Sequence, residues 1–326
     1  MNIPSVDKIS ALYQKGVSRR NFLVGAGAAG AASVVAGCSS TSSPIPSNPG
    51  VSGTYTDTDI LNFALNLEYL EAEFYLRCAT GSGLSTADAG TGAGTVVGGA
   101  QVTGLSSAQQ NILNEIAYDE QEHVRFLRSA LGSAAVARPN IDLTNSFNAL
   151  ANAAGIASTF SPYANFDAFV LGAFVFEDVG VTAYAGAAPA ISAAGVTAGY
   201  LAAAAGIMAV EAYHAAYVRT YLTAQAIANS SYVYLGYANK VSALRSTLGG
   251  GNETTLTVPT GTGPFITTIP TPSSIVAATT ANAIAFARNT DQVLHIVYGS
   301  AGAGAGVASG AFFPNGMNGN IKTTLT

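Results

Sequence analysis

Two copies of a short motif, Glu-x-x-His, strongly constrain the fold of this 326-residue chain. The copies are Glu120–His123 and Glu211–His214, and both lie in long segments whose apolar residues have helical spacing. Residues three apart on a helix lie on one face, so each carboxylate and imidazole reach the same point. Two of the chain's three histidines follow this pattern although the chain has few glutamates, so chance is a poor explanation. The sequence therefore predicts two helices that each present half of a transition-metal site.

A second repeated spacing accompanies the first. Glu68 is followed seven residues later by Tyr75, and Glu177 is followed seven residues later by Tyr184. Seven residues make about two helical turns, so each glutamate and its tyrosine lie on one stripe of a helix. A Glu–Tyr helix and a Glu-x-x-His helix thus alternate twice along the chain, which indicates two copies of a two-helix unit.

The helical segments predict an all-α fold. The chain is 49% hydrophobic and only 10% charged, which excludes a wholly disordered protein. The predicted helices cover about residues 57–79, 106–131, 166–188 and 192 or 197 to 228, with a fifth at about 280–298. We expect residues 57–228 to form a four-helix bundle and residues 229–326 to form a C-terminal extension that contains the fifth helix.

The connections carry further expectations. Residues 133–165 are long enough to cross the length of the bundle, which would let the third helix start at the same end as the second. A short helix is predicted near 146–153, and residues 240–248 have helical character. The Gly-rich segment 81–104 is expected to be poorly structured. No segment predicts a strand as strongly.

Four glutamates facing one another in a bundle interior require compensation. Burying an unpaired charge costs several kcal/mol, roughly, and like charges add repulsion. Two divalent ions would balance four carboxylates, and the two imidazoles would complete the donor set. Mixed carboxylate and imidazole donors suit iron or manganese better than an ion that prefers thiolates. We therefore predict two divalent metal ions, either Fe or Mn, as the cofactors.

This pattern resembles the ferritin-like di-iron/di-manganese carboxylate superfamily. The segments Leu61–Tyr75 and Arg288–Gly299 are similar to the branch that includes desiccation-related proteins, some of which are exported. The resemblance implies six metal ligands, with Glu120 and Glu211 as the bridging residues, and two tyrosines close to the metals. The implied ligands are Glu68, Glu120, His123, Glu177, Glu211 and His214, and the implied catalytic tyrosines are Tyr75 and Tyr184.

The resemblance leaves the reaction open. It implies oxidation of metal or reduction of O₂ or H₂O₂ at a di-metal centre, of ferroxidase or manganese-catalase type, in protection against stress. The alternative is a non-catalytic desiccation or stress protein whose metal site only stabilises the bundle. Metal storage in a cage is less favoured, because a lipid anchor and a C-terminal extension would obstruct assembly.

Several other residues compete for roles at the site. Glu71 is the alternative to Glu68, but the internal repeat aligns Glu68 with Glu177 and Glu71 with Gly180. Asp178 is expected to point away from the ligands, unless it contacts an imidazole. The remaining acidic residues near the motifs are expected on a solvated face or in pairs with arginines; these are Glu73, Glu115, Asp119 and Glu122. We expect core positions for Tyr213, Tyr217 and Cys78, and a packed or surface position without a ligand role for His295.

The N-terminal residues 1–37 have the features of an export signal. Ser18–Leu23 contains paired arginines before an apolar run, similar to twin-arginine signals, and Val35–Ser39 resembles a lipobox with Cys38 as the lipidated residue. Residues 38–56 are predicted to be a flexible tether. We therefore expect an exported protein, periplasmic or on the outer surface, that contacts the membrane only through the lipid on Cys38.

The charge balance bears on possible partners. The sequence pI is about 5.1 and the chain has no basic stripe, which excludes nucleic acid as a partner. O₂ or H₂O₂ is the expected small-molecule substrate. A protein partner or a homo-oligomer is left open by the sequence.

Overall fold

The computed structural model describes residues 51–258, 275–300 and 304–326, and within these ranges the chain is mostly helical. The predicted signal of residues 1–37, Cys38 and most of the tether lie outside the described residues. In chain order, the elements are α1 (Asp57–Thr80), α2 (Thr86–Ala89), β1 (Val96–Val97), α3 (Ser107–Leu131), β2 (Ile141–Asp142), α4 (Asn145–Ala153), α5 (Phe166–Ala187), α6 (Ala193–Ala198), α7 (Tyr200–Ala228), α8 (Tyr234–Leu248) and α9 (Thr290–Tyr298), with short 3₁₀ turns at Gly132–Ala134 and Ala188–Ala190.

The long helices α1, α3, α5 and α7 form the predicted four-helix bundle, in which α1 packs on α3 and α5 packs on α7. The start of α1 meets the end of α3, because the Asn62 amide donates to the Ala134 carbonyl at 3.0 Å. The start of α1 also meets the segment after α5, because Ser192 donates its backbone N–H to Asp57 at 2.8 Å. Both α3 and α5 therefore run antiparallel to α1 and parallel to each other. This direction requires the long connection that the sequence predicts between them.

Local sequence signals set where the bundle helices begin. Thr56 and Asp59 form a capping box at the start of α1, and Ser106 and Gln109 form one at the start of α3. The Asn165 side chain accepts from the Ala168 N–H at the start of α5. Each cap satisfies backbone N–H groups that lack helical partners, which fixes the helix start within a residue or two.

Helix α5 is the core helix of the bundle. It and α7 are long and apolar enough to cross a membrane by composition, but 89% of the apolar stretch in α5 is buried within the protein. Its phenylalanines pack against rings from α1 and α4: Phe176 lies 5.3 Å from Phe74 and 5.8 Å from Phe147 between ring centroids. The corresponding stretch of α7 is only 33% buried, so one face of α7 lies at the surface.

The segment 81–104 is ordered, so the expectation of poor structure is wrong. It contains α2 and the short strand β1, and β1 pairs in parallel with β2 so that Val96 lies opposite Ile141. The Asn140 side chain accepts from the backbone N–H of Thr95 at 2.7 Å and extends this pairing. These partners lie about 45 residues away in the chain, so the local composition of the glycine-rich segment did not reveal them.

Two helix boundaries also differ from prediction. The fourth predicted helix is divided at Gly199, which has φ 91° and separates α6 from α7. The fifth predicted helix begins at Thr290, ten residues later than the expected start at 280. Asn289 and Gln292 form a capping box there, and the backbone N–H of Arg288 donates to α5 rather than to its own helix. Residues 275–289 therefore form turns and loops rather than the first turns of a helix.

Three fully buried arginines connect the C-terminal extension to the bundle. Arg219 on α7 donates to Asp178 on α5 at 2.8 Å. Arg245 on α8 donates to the same Asp178 at 3.2 Å and so links the extension to α5. Arg245 and Arg288, which precedes α9, both donate to Glu253, at 2.8 and 2.6 Å. Asp178 thus points away from the predicted ligands, as expected, and contacts arginines rather than an imidazole. Buried charges need such partners, so this network positions the extension against α5 and α7.

Candidate metal centre

The six predicted ligands meet in the interior of the bundle. Helices α1 and α5 bring one glutamate each, and α3 and α7 bring one Glu-x-x-His motif each. The four glutamates are at most 1% exposed, and the two histidines are 8% and 6% exposed. Helical spacing places each motif on the inward face of its helix, so the packing of four helices is enough to assemble the cluster.

The first donor group contains Glu68, Glu120, His123 and Glu211, each of which offers one atom within 4.8 Å of the others. The Nδ1 atom of His123 lies 3.2 Å from Glu68 Oε2 and 3.3 Å from Glu120 Oε2. It also lies 3.7 Å from Glu211 Oε1. One imidazole nitrogen and three carboxylates from three helices thus surround one point.

The second donor group contains Glu120, Glu177 and His214. The Nδ1 atom of His214 lies 3.0 Å from Glu120 Oε1 and 3.5 Å from Glu177 Oε2. Glu120 therefore directs Oε2 at the first group and Oε1 at the second. Of the two glutamates expected to bridge, Glu120 contributes to both donor groups, whereas Glu211 contributes to the first group only.

The buried atoms of the cluster fit metal ions. Several of them have no hydrogen-bond partner among the described residues, namely Glu120 Oε1, Glu177 Oε2, both carboxylate oxygens of Glu211 and Nδ1 of His214. A buried polar atom without a partner costs about 1–3 kcal/mol, so natural proteins rarely leave several together. Oxygen and imidazole donors at these positions are those that iron and manganese accept. The residues thus fit a pair of such ions.

The pKa values of the clustered carboxylates and imidazoles also indicate a metal site. Burial raises the pKa of Glu68 to about 7, and burial with repulsion from Glu71 and Glu120 raises the pKa of Glu211. Burial lowers the pKa of both imidazoles, but the adjacent carboxylates have the larger effect. They raise the pKa of His123 to about 11 and that of His214 to about 12. The cluster therefore holds protons that metal binding would displace.

The two predicted tyrosines contact the ligands in a reciprocal pattern. The Tyr75 hydroxyl on α1 donates to Glu177 Oε1 on α5, and the Tyr184 hydroxyl on α5 donates to Glu68 Oε1 on α1. Burial and the nearby glutamates raise the pKa of both phenols. Both tyrosines are therefore neutral donors that orient the two single glutamates and leave Oε2 of each directed at an imidazole.

Asp119 contacts a histidine of the cluster, which its position on α3 alone did not predict. It is expected on a solvated face, but its Oδ2 atom lies 3.2 Å from Nε2 of His214. His214 thus has one nitrogen at the donor group and the other on a carboxylate, an arrangement that fixes the orientation of a ligating imidazole. Its position next to Glu120 is the available sequence signal, but the contact depends on α7 and not on the spacing within α3.

Glu71 and Gly180 lie beside the cluster. Glu68 belongs to a donor group and Glu71 does not, although Glu71 is buried and its pKa is raised by burial and by the neighbouring carboxylates. Gly180 on α5 leaves space for the carboxylate of Glu211, because a Cβ at this position would collide with it. The internal repeat aligned Gly180 with Glu71 and thereby identified a position where a side chain is excluded.

The other expectations have mixed outcomes. Glu73 is fully buried, not solvated, and pairs with Arg77 at 2.9 Å. Glu122 pairs with Arg125 at 2.7 Å on the surface, as expected. Tyr213 is 72% exposed, so its predicted core position is wrong: among the described residues, no helix covers its side chain.

The remaining predicted packed residues lie inside the protein. Cys78 is a buried free thiol, and Tyr217 is half-buried against Tyr221 with the ring centroids 6.1 Å apart. His295 contacts Ser300 at 3.1 Å and the carbonyl of Thr326 at 3.2 Å, away from the cluster.

Comparison with known proteins gives three findings. A family model described as a ferritin-like domain matches residues 56–224. "Ferritin-like catalase Nec2" of Nesocodon mauritianus is 30% identical over 273 residues, which are 81% of this chain and 84% of that protein. "Desiccation-related protein PCC13-62" of Craterostigma plantagineum is 33% identical over 204 residues, which are 60% of this chain and 63% of that protein.

Proposed function

The chain belongs to the ferritin-like domain family, and from this premise we propose that it binds two iron or manganese ions and disproportionates hydrogen peroxide. One observation carries the proposal: two donor groups with nearly inaccessible carboxylates share Glu120, so that the cluster would hold two ions. The relative named as a catalase, which matches most of both chains, favours peroxide over other oxidants.

The reaction balances without any further reactant. One H₂O₂ is reduced to two H₂O, and a second H₂O₂ is oxidised to O₂ with release of two protons and two electrons. Two bound redox-active ions would store these two electrons between the two half-reactions. No external reductant is needed, whereas oxidation of Fe²⁺ by O₂ consumes metal as a substrate.

The side chains of this protein have separate tasks in that chemistry. The carboxylates would hold the ions and, by their negative charge, would favour the higher oxidation states. Tyr75 and Tyr184 hold Glu177 and Glu68 in place by donating to them. Phe74, whose ring lies 5.0 Å from that of Tyr75, packs on Phe176 and makes this side of the site apolar.

Peroxide reaches the centre from the other side, between α3 and α7. Two surface grooves lie there, one lined by His123 and the other by His214. Among the described donors of the cluster, only the imidazole side chains are more than 1% exposed, at 11% for His123 and 7% for His214. A small uncharged molecule in either groove would therefore meet an imidazole of the cluster before any of the four clustered glutamates.

The proposed location of this activity is outside the cytoplasm. The paired arginines and the lipobox-like sequence ending in Cys38 support export and a lipid anchor, and the Ser/Pro-rich segment after them supports a tether. A peroxide-removing protein at that location would protect the cell surface from oxidative stress. Labelling of Cys38 by a fatty acid, absent in Cys38→Ala, tests the anchor.

The proposed activity is tested on the full chain loaded with Mn²⁺ or Fe²⁺. The metal content is expected to be two ions per chain, and an oxygen electrode is expected to record one O₂ released for every two H₂O₂ consumed. Glu120→Ala should abolish both, while Glu122→Gln, on the exposed face of the same helix, should abolish neither. Consumption of O₂ with added Fe²⁺, without release of O₂ from peroxide, would indicate a ferroxidase instead.

A second candidate is a non-catalytic stress protein stabilised by its metals. The relative named as desiccation-related favours it, as does the number of buried polar atoms that metal ions would satisfy. Two bound ions, a large increase in thermal stability on metal binding and no turnover of peroxide or Fe²⁺ would support this candidate and reject the catalytic one.

A further inference from the structure

The two imidazoles of the cluster differ in how they are held. His214 directs Nδ1 at the second donor group, and its Nε2 lies 3.2 Å from the Asp119 carboxylate. Rotation of this ring away from the cluster would break the contact with Asp119. Loss of such an outer hydrogen bond typically lowers metal affinity about 10–100-fold, so Asp119 restrains the ring strongly.

His123 has no equivalent restraint among the described residues. Its Nδ1 atom faces three carboxylates of the first donor group. Among the described residues, no carboxylate or carbonyl contacts its other ring nitrogen, Nε2. The ring instead lines a surface groove of about 390 Å³ between α3 and α7. Gly206 on α7 lines the same groove, and a Cβ at this position would contact nothing within 4 Å. The His123 ring therefore has space on its outer side.

We infer that the two metal positions exchange their ions at different rates, the position at His123 through its groove and the position at His214 slowly because Asp119 locks the ring. The first group has more carboxylates, which strengthens equilibrium binding, but the rate of exchange depends on how easily the imidazole moves aside. The inference rests on the two-ion site of the proposed function and not on its activity. Asp119 is thus a positioning residue.

Metal release measures this difference directly. The full chain loaded with two Mn²⁺ is mixed with excess chromogenic chelator, and the release of metal is followed by absorbance. The wild-type chain should release one ion at least about tenfold faster than the other, in two phases of equal amplitude. Removal of the imidazole identifies the phases: His123→Ala should lose the fast phase, and His214→Ala should lose the slow one.

Three variants test the cause. Asp119→Ala should accelerate the slow phase about 10–100-fold and leave the fast phase unchanged. Asp119→Asn keeps an oxygen acceptor for Nε2 and should release metal at nearly the wild-type rate. Glu115→Ala removes an acidic side chain that lines the same groove as His214 and Asp119, so it controls for the loss of charge and should change neither phase.

Gly206→Leu provides an independent test from the other groove. A leucine there would fill the space beside His123, so the fast phase should slow while the slow phase stays the same. Two ions that leave wild-type protein in a single phase would overturn this inference and leave the proposed function intact. An Asp119→Ala chain whose slow phase is unchanged would also overturn it. A chain that binds fewer than two ions would overturn both proposals.

Discussion

Tyr184 on α5 donates its hydroxyl hydrogen to Glu68 on α1, across the width of the bundle. Tyr75 makes the mirror contact from α1 to Glu177 on α5. The two glutamate–tyrosine stripes therefore run in opposite directions, and each tyrosine reaches the glutamate of the other helix. A seven-residue spacing within each helix becomes a pair of contacts between helices because α1 and α5 are antiparallel.

Replacing Tyr184 by phenylalanine should destabilise the metal-free chain without removing the metal site. The substitution removes a buried donor from Glu68 and should lower the free energy of unfolding by about 1.5–3 kcal/mol, the range for a hydrogen bond to a charged group. Urea denaturation of the metal-free chain measures the loss. Tyr118→Phe, at a position 59% exposed on α3, is the matched control and should have almost no effect. Equal stability of the two variants would contradict the contact.

Glu120 should be more important for metal stoichiometry than the other ligands, because it alone contributes to both donor groups of the described site. Glu120→Ala is expected to reduce the metal content from two ions to none. His123→Ala and His214→Ala should each retain about one ion, since each removes a donor from one group. Elemental analysis after gel filtration distinguishes these outcomes. A Glu120→Ala chain that still holds two ions would refute the shared role.

The stability of the metal-free chain should fall as the pH rises. The pKa of Glu68 is raised from 4.5 to about 7, so the folded chain binds more protons than the unfolded chain between these values. The raised pKa values of His123 and His214, about 11 and 12, act in the same direction, since their stabilisation is complete below 6.5 and is lost at higher pH. Glu68 by itself should lower the free energy of unfolding on the order of 3 kcal/mol from pH 5 to pH 8, and the two histidines should increase this loss above pH 6.5.

Urea denaturation at several pH values tests this dependence. Burial raises the pKa of Glu120, but the two adjacent imidazoles outweigh this effect and lower the pKa to about 2, so the contribution of Glu120 to stability disappears only at pH values below this range. Metal affinity should change in the opposite direction and increase with pH, because metal ions and protons compete for the same atoms. Glu68→Gln should make the free energy of unfolding less dependent on pH between 5 and 7. An unchanged dependence in that variant would contradict the raised pKa of Glu68.

Asp178 should contribute far more to stability than an exposed carboxylate with a similar partner. Asp178→Asn leaves the buried Arg219 and Arg245 without this carboxylate and should cost about 3–5 kcal/mol. Glu122→Gln breaks an exposed pair with Arg125 and should cost less than about 1 kcal/mol. Thermal and urea denaturation of both variants provide the comparison. A similar small cost for both would show that the arginine network does not hold the extension.

Much of the bundle could be predicted because its signals are local. Apolar spacing, the caps at Thr56, Ser106 and Asn165, and the Glu-x-x-His spacing all act within a few residues of one another. The six predicted ligands meet in the bundle because helical periodicity already turns each of them to the inward face.

The missed features depend on partners distant in the chain. Asp119 lies at the edge of the inward face of its own helix, and its role follows from the position of His214, 95 residues later. Segment 81–104 is ordered by residues 138–144, and α9 starts late because Arg288 contacts α5. Tyr213 looked like a core residue in the apolar pattern of α7, but no described helix covers that face.

The sequence by itself determined the four bundle helices, their caps, the glutamate and histidine donors and the need for positive charge among them. Each of these follows from spacing within one helix or from the chemistry of a single side chain. Only the tertiary structure decided that Glu120 contributes to both donor groups, that Tyr184 reaches Glu68 and that Asp119 contacts the imidazole of His214. These relationships depend on distances between helices, which are set by packing and not by the local pattern of residues.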